Sequence, residues 1–248
     1  MSIGYICEIV FENELPAQSY LHALPVVQYL KTQPRLSFDT GVTILVGENG
    51  TGKSTLLEAI AVVCGFNPEG GSRNFRFSTN DTHSALHESL RIVRRAYPKD
   101  GYFLRAESLY NVATNIEELD KQPAFSPPLV ERYGGRSLHH QSHGESFLSL
   151  VQNRLGGNGL YLFDEPEAAL SPMRQMTLLA EIDRLVKTNS QLIIATHSPI
   201  LMAYPGAQIL ELSEQGIRKV DYKQTEHYQV TKRFLDNPER MLRYLMEE

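Results

Sequence analysis

Tryptophan is absent from this chain, and cysteine occurs only as Cys7 and Cys64. Two cysteines cannot build a disulfide framework, and no Cys-x-x-Cys pair marks a metal site. Both fall in apolar stretches and are expected as buried free thiols. No apolar run approaches the roughly 18 residues that a membrane-crossing helix requires. The opening MSIGYICEIVFENE lacks the basic segment and apolar run of a signal peptide. The expected setting is therefore a reducing cytoplasm, with no integral membrane segment. An excess of one charge is missing too: 24 Lys and Arg stand against 29 Asp and Glu, for a net charge of −5. A strongly basic chain would point to nucleic acid; this one leaves room only for a local basic patch. Repeats, low-complexity tracts and heptad arms are also lacking.

What is present suits one α/β domain. The 248 residues are ample for a buried core. Val42–Val46 (VTILV), Leu160–Phe163 (LYLF) and Leu192–Thr196 (LIIAT) are nearly continuous apolar runs, the mark of strands buried on both faces of a parallel sheet. Further strands are expected near Tyr5–Phe11 and Gly101–Ala106. Helices are expected over Ser54–Cys64, around Leu86–Tyr97, over Asn111–Asp120, after Gly144 and over Arg174–Lys187. Two short helical pieces broken at Pro238 close the chain. Strands alternating with helices predict a mostly parallel, doubly wound sheet. A helical lobe is expected over approximately residues 80–155.

Four elements carry chemistry. Gly47, Glu48, Asn49, Gly50, Thr51, Gly52, Lys53 and Ser54 match G-x-x-x-x-G-K-[ST], between a buried strand and a helix. Glycines let the backbone curl so that its N–H groups ring a phosphate, and the helix N-terminus points positive charge at the same place. Lys53 is expected to reach the β- and γ-phosphates and Ser54 to ligate Mg²⁺, with Thr55 completing the nucleotide contacts. Asp164 and Glu165 end the strand LYLF, at the edge where such sheets place ligands. Asp164 suits a metal-holding role; Glu165 suits orienting or deprotonating the attacking water. His197 follows the strand LIIAT and is placed as a γ-phosphate sensor. Ser142 and Gly144 open a helix and form a second anion cradle.

In this order the four elements resemble the ABC ATPase family, with its Walker A motif, signature, Walker B motif with catalytic Glu, and switch His. The resemblance covers about residues 40–200. It implies a P-loop NTPase fold with a helical signature lobe, ATP and Mg²⁺ as cofactors, and hydrolysis served by Lys53, Glu165 and His197. It also implies a homodimer that forms on ATP. The signature is degenerate: Ser142-His143-Gly144-Glu145 stands where the family has Ser-Gly-Gly-Gln. Ser171 departs from the family's Asp-containing loop after Glu167-Ala168-Ala169-Leu170. No Gln stands at the Q-loop, where Glu107 is the substitute. More narrowly, GFNPEGGSRNFRFST, FLRAES, GGRSLHHQSHGESF and ATHSPILMAYPGA resemble the small stand-alone bacterial proteins known as predicted AAA ATPases.

Two competing readings are weaker. His139, His140 and His143 lack a carboxylate or Cys at matching spacing for a metal site. Arg73, Arg76, Arg91, Arg94 and Arg95 could meet DNA phosphates, but a solvated helix face beside an ATP-contacting loop suits them better. The functional expectation is an ATP-driven switch acting on an unknown protein or nucleic-acid partner. The alternative is the nucleotide-binding subunit of a membrane transporter.

Overall fold

The computed structural model describes residues 4–73, 84–121 and 127–246. In chain order the elements are β1 (Ile6–Phe11), α1 (Pro25–Thr32), β2 (Arg35–Ser37), β3 (Val42–Gly47), α2 (Lys53–Val63), β4 (Leu90–Arg94) and β5 (Asp100–Arg105). Then come α3 (Leu109–Asp120), α4 (His143–Arg154), β6 (Gly159–Asp164), α5 (Pro172–Lys187), β7 (Gln191–Ala195) and α6 (Pro199–Met202). The chain continues through β8 (Gln208–Ser213), β9 (Gly216–Val220), α7 (Glu226–Asp236) and α8 (Pro238–Met246).

The main sheet has the order β5-β6-β7-β3-β8-β9. Its strands pair in parallel except at the β8–β9 edge. Every residue of β3, β6 and β7 is buried, as their unbroken apolar runs predict. Successive side chains leave opposite faces of a strand. Leu45, Leu162 and Ile193 therefore enter the core shared with α2 and α1. Their neighbours Ile44, Phe163 and Ile194 enter the core shared with α3, α4 and α5. The result is an α/β domain with helices on both faces of a mostly parallel sheet.

A second sheet, β2-β1-β4, is antiparallel. It corrects one expectation. Leu86, Leu90, Val93 and Tyr97 fit a helical face, yet a 3-10 turn (Ala85–Ser89) leads there into β4. Leu90 and Ile92 are buried while Arg91 between them is exposed, which is the two-residue period of a strand. The open edge of β1 supplies a partner, pairing Phe11 with Leu90 and Val10 with Arg91. Tyr97 is 77% exposed and belongs to no apolar face. The interval 80–155 thus holds β4 and β5 as well as helices, and its α-helices begin only at Leu109. Two of the arginines of this region are engaged within the fold. Arg91 pairs with Glu12 at 2.6 Å, and Arg94 donates to Val63 O at 3.2 Å. Arg76 lies outside the described residues. Cys64 is buried and Cys7 only partly so; both are free.

Candidate nucleotide site

The ends of β3, β6 and β7 converge on one place. Glu165 N–H donates to Ala195 O at 2.9 Å and Thr196 N–H to Leu45 O at 3.1 Å. These bonds fix the loops after the three strands relative to each other. Gly47 begins the P-loop with φ +142°, and a Cβ there would lie 2.2 Å from Leu212 O of β8. No side chain fits. At Gly52, with φ +95°, a Cβ would meet Val26 of α1 at 2.4 Å. Val26 N–H also donates to Thr51 O at 3.3 Å. Helix α1 therefore braces the P-loop from outside, a support that the motif does not reveal.

Lys53 is 4% exposed. Its ammonium donates to Gly47 O at 2.8 Å and Glu48 O at 2.9 Å, inside the curl of the loop. Burial pushes its pKa down, and the charges of Glu165, Asp164 and Glu167 pull it back up. Helix α2 has Gly52 at its N-cap, no side-chain cap and no acidic residue in its first turn. Its first N–H groups are thus left for an anion.

Asp164 is buried, and burial raises its carboxyl pKa to about 6, against the pull of Arg105 and the Ser54 hydroxyl. Its Oδ1 has no hydrogen-bond partner, while Oδ2 lies 3.4 Å from Arg105 Nε. Arg105 also pairs with Glu58 at 3.0 Å and with Glu107. A cleft of 380 Å³ is lined by Ser54, Arg105, Glu107, His143, Asp164 and Glu165, among others. Glu107 therefore does reach the cleft, and so does His143, which sequence spacing did not place there.

Glu165 has φ +46° and ψ +52°, a left-handed conformation uncommon for a residue with a side chain. His197 Nε2 lies 3.7 Å from Glu165 Oε1. Burial and the Lys53 charge lower the His197 pKa, opposed by Glu165. Glu167, not singled out from the sequence, accepts from His197 N–H and from Thr196 Oγ1, the latter at 2.7 Å. It holds the loop that carries His197. A carboxylate within D-E-P-E was available as a signal, but its partner lies 30 residues on.

Ser142 and Gly144 open α4, as expected, yet this end is not vacant. The Glu145 carboxylate accepts from Ser142 N–H at 3.0 Å and from Ser142 Oγ at 2.7 Å. Arg174 of α5 donates to Ser142 Oγ and to Glu145, both at 3.2 Å. A Cβ at Gly144 would meet Arg174 Nη1 at 2.5 Å and Ala169 O at 2.8 Å. His139 bonds Thr114 at 3.2 Å and packs edge-on against Tyr110. Among the described residues no group of three or more His, Cys, Asp or Glu is arranged to hold a metal ion.

A nested parallel sheet, a glycine-constrained P-loop and a carboxylate pair at the adjoining strand end define a P-loop ATPase. Family models agree: an AAA domain matches residues 26–123 and an AAA ATPase domain matches residues 147–202. An uncharacterized ABC transporter ATP-binding protein of Haemophilus influenzae is 26% identical over 204 residues, covering 73% of this chain and 74% of that protein. The thiamine import ATP-binding protein ThiQ of the same organism is 29% identical over 184 residues, covering 68% and 83%. The match to the ribose import ATP-binding protein RbsA of Caldanaerobacter subterraneus, 28% identical, spans only 34% of that protein. Among solved structures, cbiO1 of Clostridium perfringens, part of the ABC transporter complex cbiONQ, aligns with TM-score 0.51 at 18% identity over 99% of this chain and 100% of that one. An ATP-binding cassette of an ABC transporter in its ADP conformation aligns with TM-score 0.53 at 17% identity, over 98% and 100%. The chain carries AAA domain and AAA ATPase domain sequence over residues 26–123 and 147–202, is similar to ABC-type ATP-binding proteins, and has the fold of their ATP-binding cassettes. No described helix is long and apolar enough to cross a membrane.

Proposed function

We propose that this ATPase closes as a head-to-tail homodimer on Mg-ATP and passes that closure to a protein or nucleic-acid partner. The observation that carries the reading is the pair of helix N-termini. That of α2 is open to phosphate; that of α4 carries Ser142 and Gly144. One P-loop covers one side of a nucleotide. A two-fold arrangement brings the α4 end of the second copy to the other side, twice over. Closure is then linked to ATP, because ATP binds the closed form better than the open one.

Within each site, Lys53 and the N–H groups of Gly50, Thr51, Gly52, Ser54 and Thr55 bind phosphate oxygens. The residues present fit Mg²⁺: a hard cation takes oxygen ligands, and the buried, partnerless Asp164 Oδ1 and the Ser54 hydroxyl supply them. Bound there, the metal would neutralise charge on the β- and γ-phosphates. Glu165 is the base for water, and its partly exposed carboxylate faces the cleft. His197, beside it, donates to the γ-phosphate. Glu167 holds the His197 loop, and Arg105 holds Glu107 near the cleft.

Sedimentation of Glu165→Gln with and without Mg-ATP tests the reading. A dimer seen only with Mg-ATP is expected; a strict monomer at high concentration and saturating nucleotide would overturn it. A second reading, a nucleotide-binding subunit of a membrane transporter, draws on the names of the relatives. Glu107 in place of a Q-loop Gln and the altered signature favour the first reading.

A further inference from the structure

The C-terminal helices stand apart from the core. None of the residues of α7 or α8 is fully buried. The first turn of α7 is anchored by particular side chains. Thr225, fully buried, caps that turn by accepting from Tyr228 N–H at 3.3 Å. Tyr228 packs edge-on against Tyr222, with ring centroids 4.7 Å apart. Between these anchors His227 reaches inward, and its Nε2 lies 3.0 Å from His197 Nδ1. The two rings are 5.2 Å apart and tilted by 53°. This is a side-chain hydrogen bond between the C-terminal helix and a residue of the ATP site.

Two neutral imidazoles sharing one bond have two possible assignments of the proton. The surroundings choose between them. His197 Nε2 is buried without a hydrogen-bond partner and faces the Glu165 carboxylate at 3.7 Å. A carboxylate and a phosphate both accept and do not donate. Only a ring with its proton on Nε2 can serve either one. His197 Nδ1 is then a bare acceptor and requires a donor, and His227 Nε2–H is the group in place. Burial lowers the pKa of both rings, which keeps each in the neutral form that this assignment needs. The tautomer of an imidazole is set by the bond its other nitrogen makes.

We infer that His227 is a positioning residue for ATP hydrolysis: its Nε2–H bond to His197 Nδ1 fixes the tautomer and tilt that present His197 Nε2–H to the γ-phosphate. The inference rests on the reading of His197 given above. Helix α7 is thereby a structural part of the catalytic site, although it follows every motif of the family. At metal-bound histidines, losing an orienting partner of this kind typically lowers affinity or activity by about 10- to 100-fold, and that range sets the scale here.

The test uses the full chain. Nitrogen-resolved NMR of histidine-labelled wild type is expected to show His197 protonated at Nε2 and bare at Nδ1. Protonation at Nδ1 would overturn the inference without any variant. In steady-state assays with Mg-ATP, His227→Phe is expected to lower kcat roughly 10-fold with KM for ATP little changed. His227→Gln, whose amide N–H can still donate, is expected to recover most of the rate. In a His197→Ala background, His227→Phe should cost nothing further. A wild-type kcat in His227→Phe beside an impaired His197→Ala would overturn the inference, as would losses that multiply in the double variant. A wild-type rate in His197→Ala would instead sink the reading of His197, and the NMR result would still decide what His227 does to its tautomer.

Discussion

Helices α2 and α4 both open on a glycine and a serine, and both look in the sequence like anion sites, but the structure treats them differently. The first turn of α2 has no acidic residue and no side-chain cap, and Lys53 adds positive charge there. The first turn of α4 carries Glu145, whose carboxylate already accepts from Ser142 twice. Arg174 then ties both groups to α5. An anion meets free N–H groups at α2, whereas at α4 it meets a carboxylate that has taken its place. A helix dipole attracts negative charge from any source, including its own chain. The lesson is that one end is built for binding and the other for binding only under competition. Closure of two copies is accordingly expected to be weak and dependent on ATP.

Four substitutions break or sharpen this contrast. Lys53→Ala removes the cation from the open end, and ATP binding or hydrolysis should be abolished; nucleotide titration and a phosphate-release assay check it. Wild-type turnover in that variant would erase the distinction between the two termini. Glu165→Gln keeps the shape of the base without its basicity, so turnover should fall by about 10²- to 10⁴-fold while ATP still binds. Normal hydrolysis there would shift attention to Glu107.

Glu145→Gln should act in the opposite sense and more gently. The amide can still accept from Ser142, but the negative charge is gone. With that charge gone from the helix terminus, ATP-dependent dimerisation should tighten by about 2- to 5-fold, read by sedimentation. Unchanged association would mean that Glu145 does not face the second nucleotide. Ser142→Ala is expected to act on stability. It removes a hydroxyl bonded to Glu145 and Arg174 at an exposed helix end, costing about 0.5–1 kcal/mol in chemical denaturation.

The P-loop was legible because its glycines answer to local backbone geometry. Gly47 cannot be anything else with Leu212 O so near, and the motif records that constraint. Strands β3, β6 and β7 were legible because burial on both faces leaves an unbroken apolar run. β4 was misread because Leu86, Leu90, Val93 and Tyr97 satisfy a helical period by coincidence, while the deciding partner, β1, lies about 80 residues earlier. Glu167 and His227 escaped for a related reason. Each acts through hydrogen bonds to the His197 loop, about 30 residues away in sequence. Nothing in the local pattern of a polar C-terminal helix marks one histidine as turned inward. The same holds for Arg174, whose contact with Ser142 spans 32 residues.

The position of β3 has a consequence for how the molecule comes apart. Its backbone is bonded on both sides, to β7 and to β8, and every one of its residues is buried. A central strand of this kind opens only with the whole sheet, so its amide protons belong to the slowest class to trade with solvent. The phosphate loop grows directly from that strand. The loop therefore has no inexpensive route to partial melting, and the grip on a phosphate persists until the domain itself is lost. At the other extreme, α7 and α8 have no fully buried residue and can detach at small cost. The histidine pair ties this labile segment to the loop after β7, the strand that flanks β3.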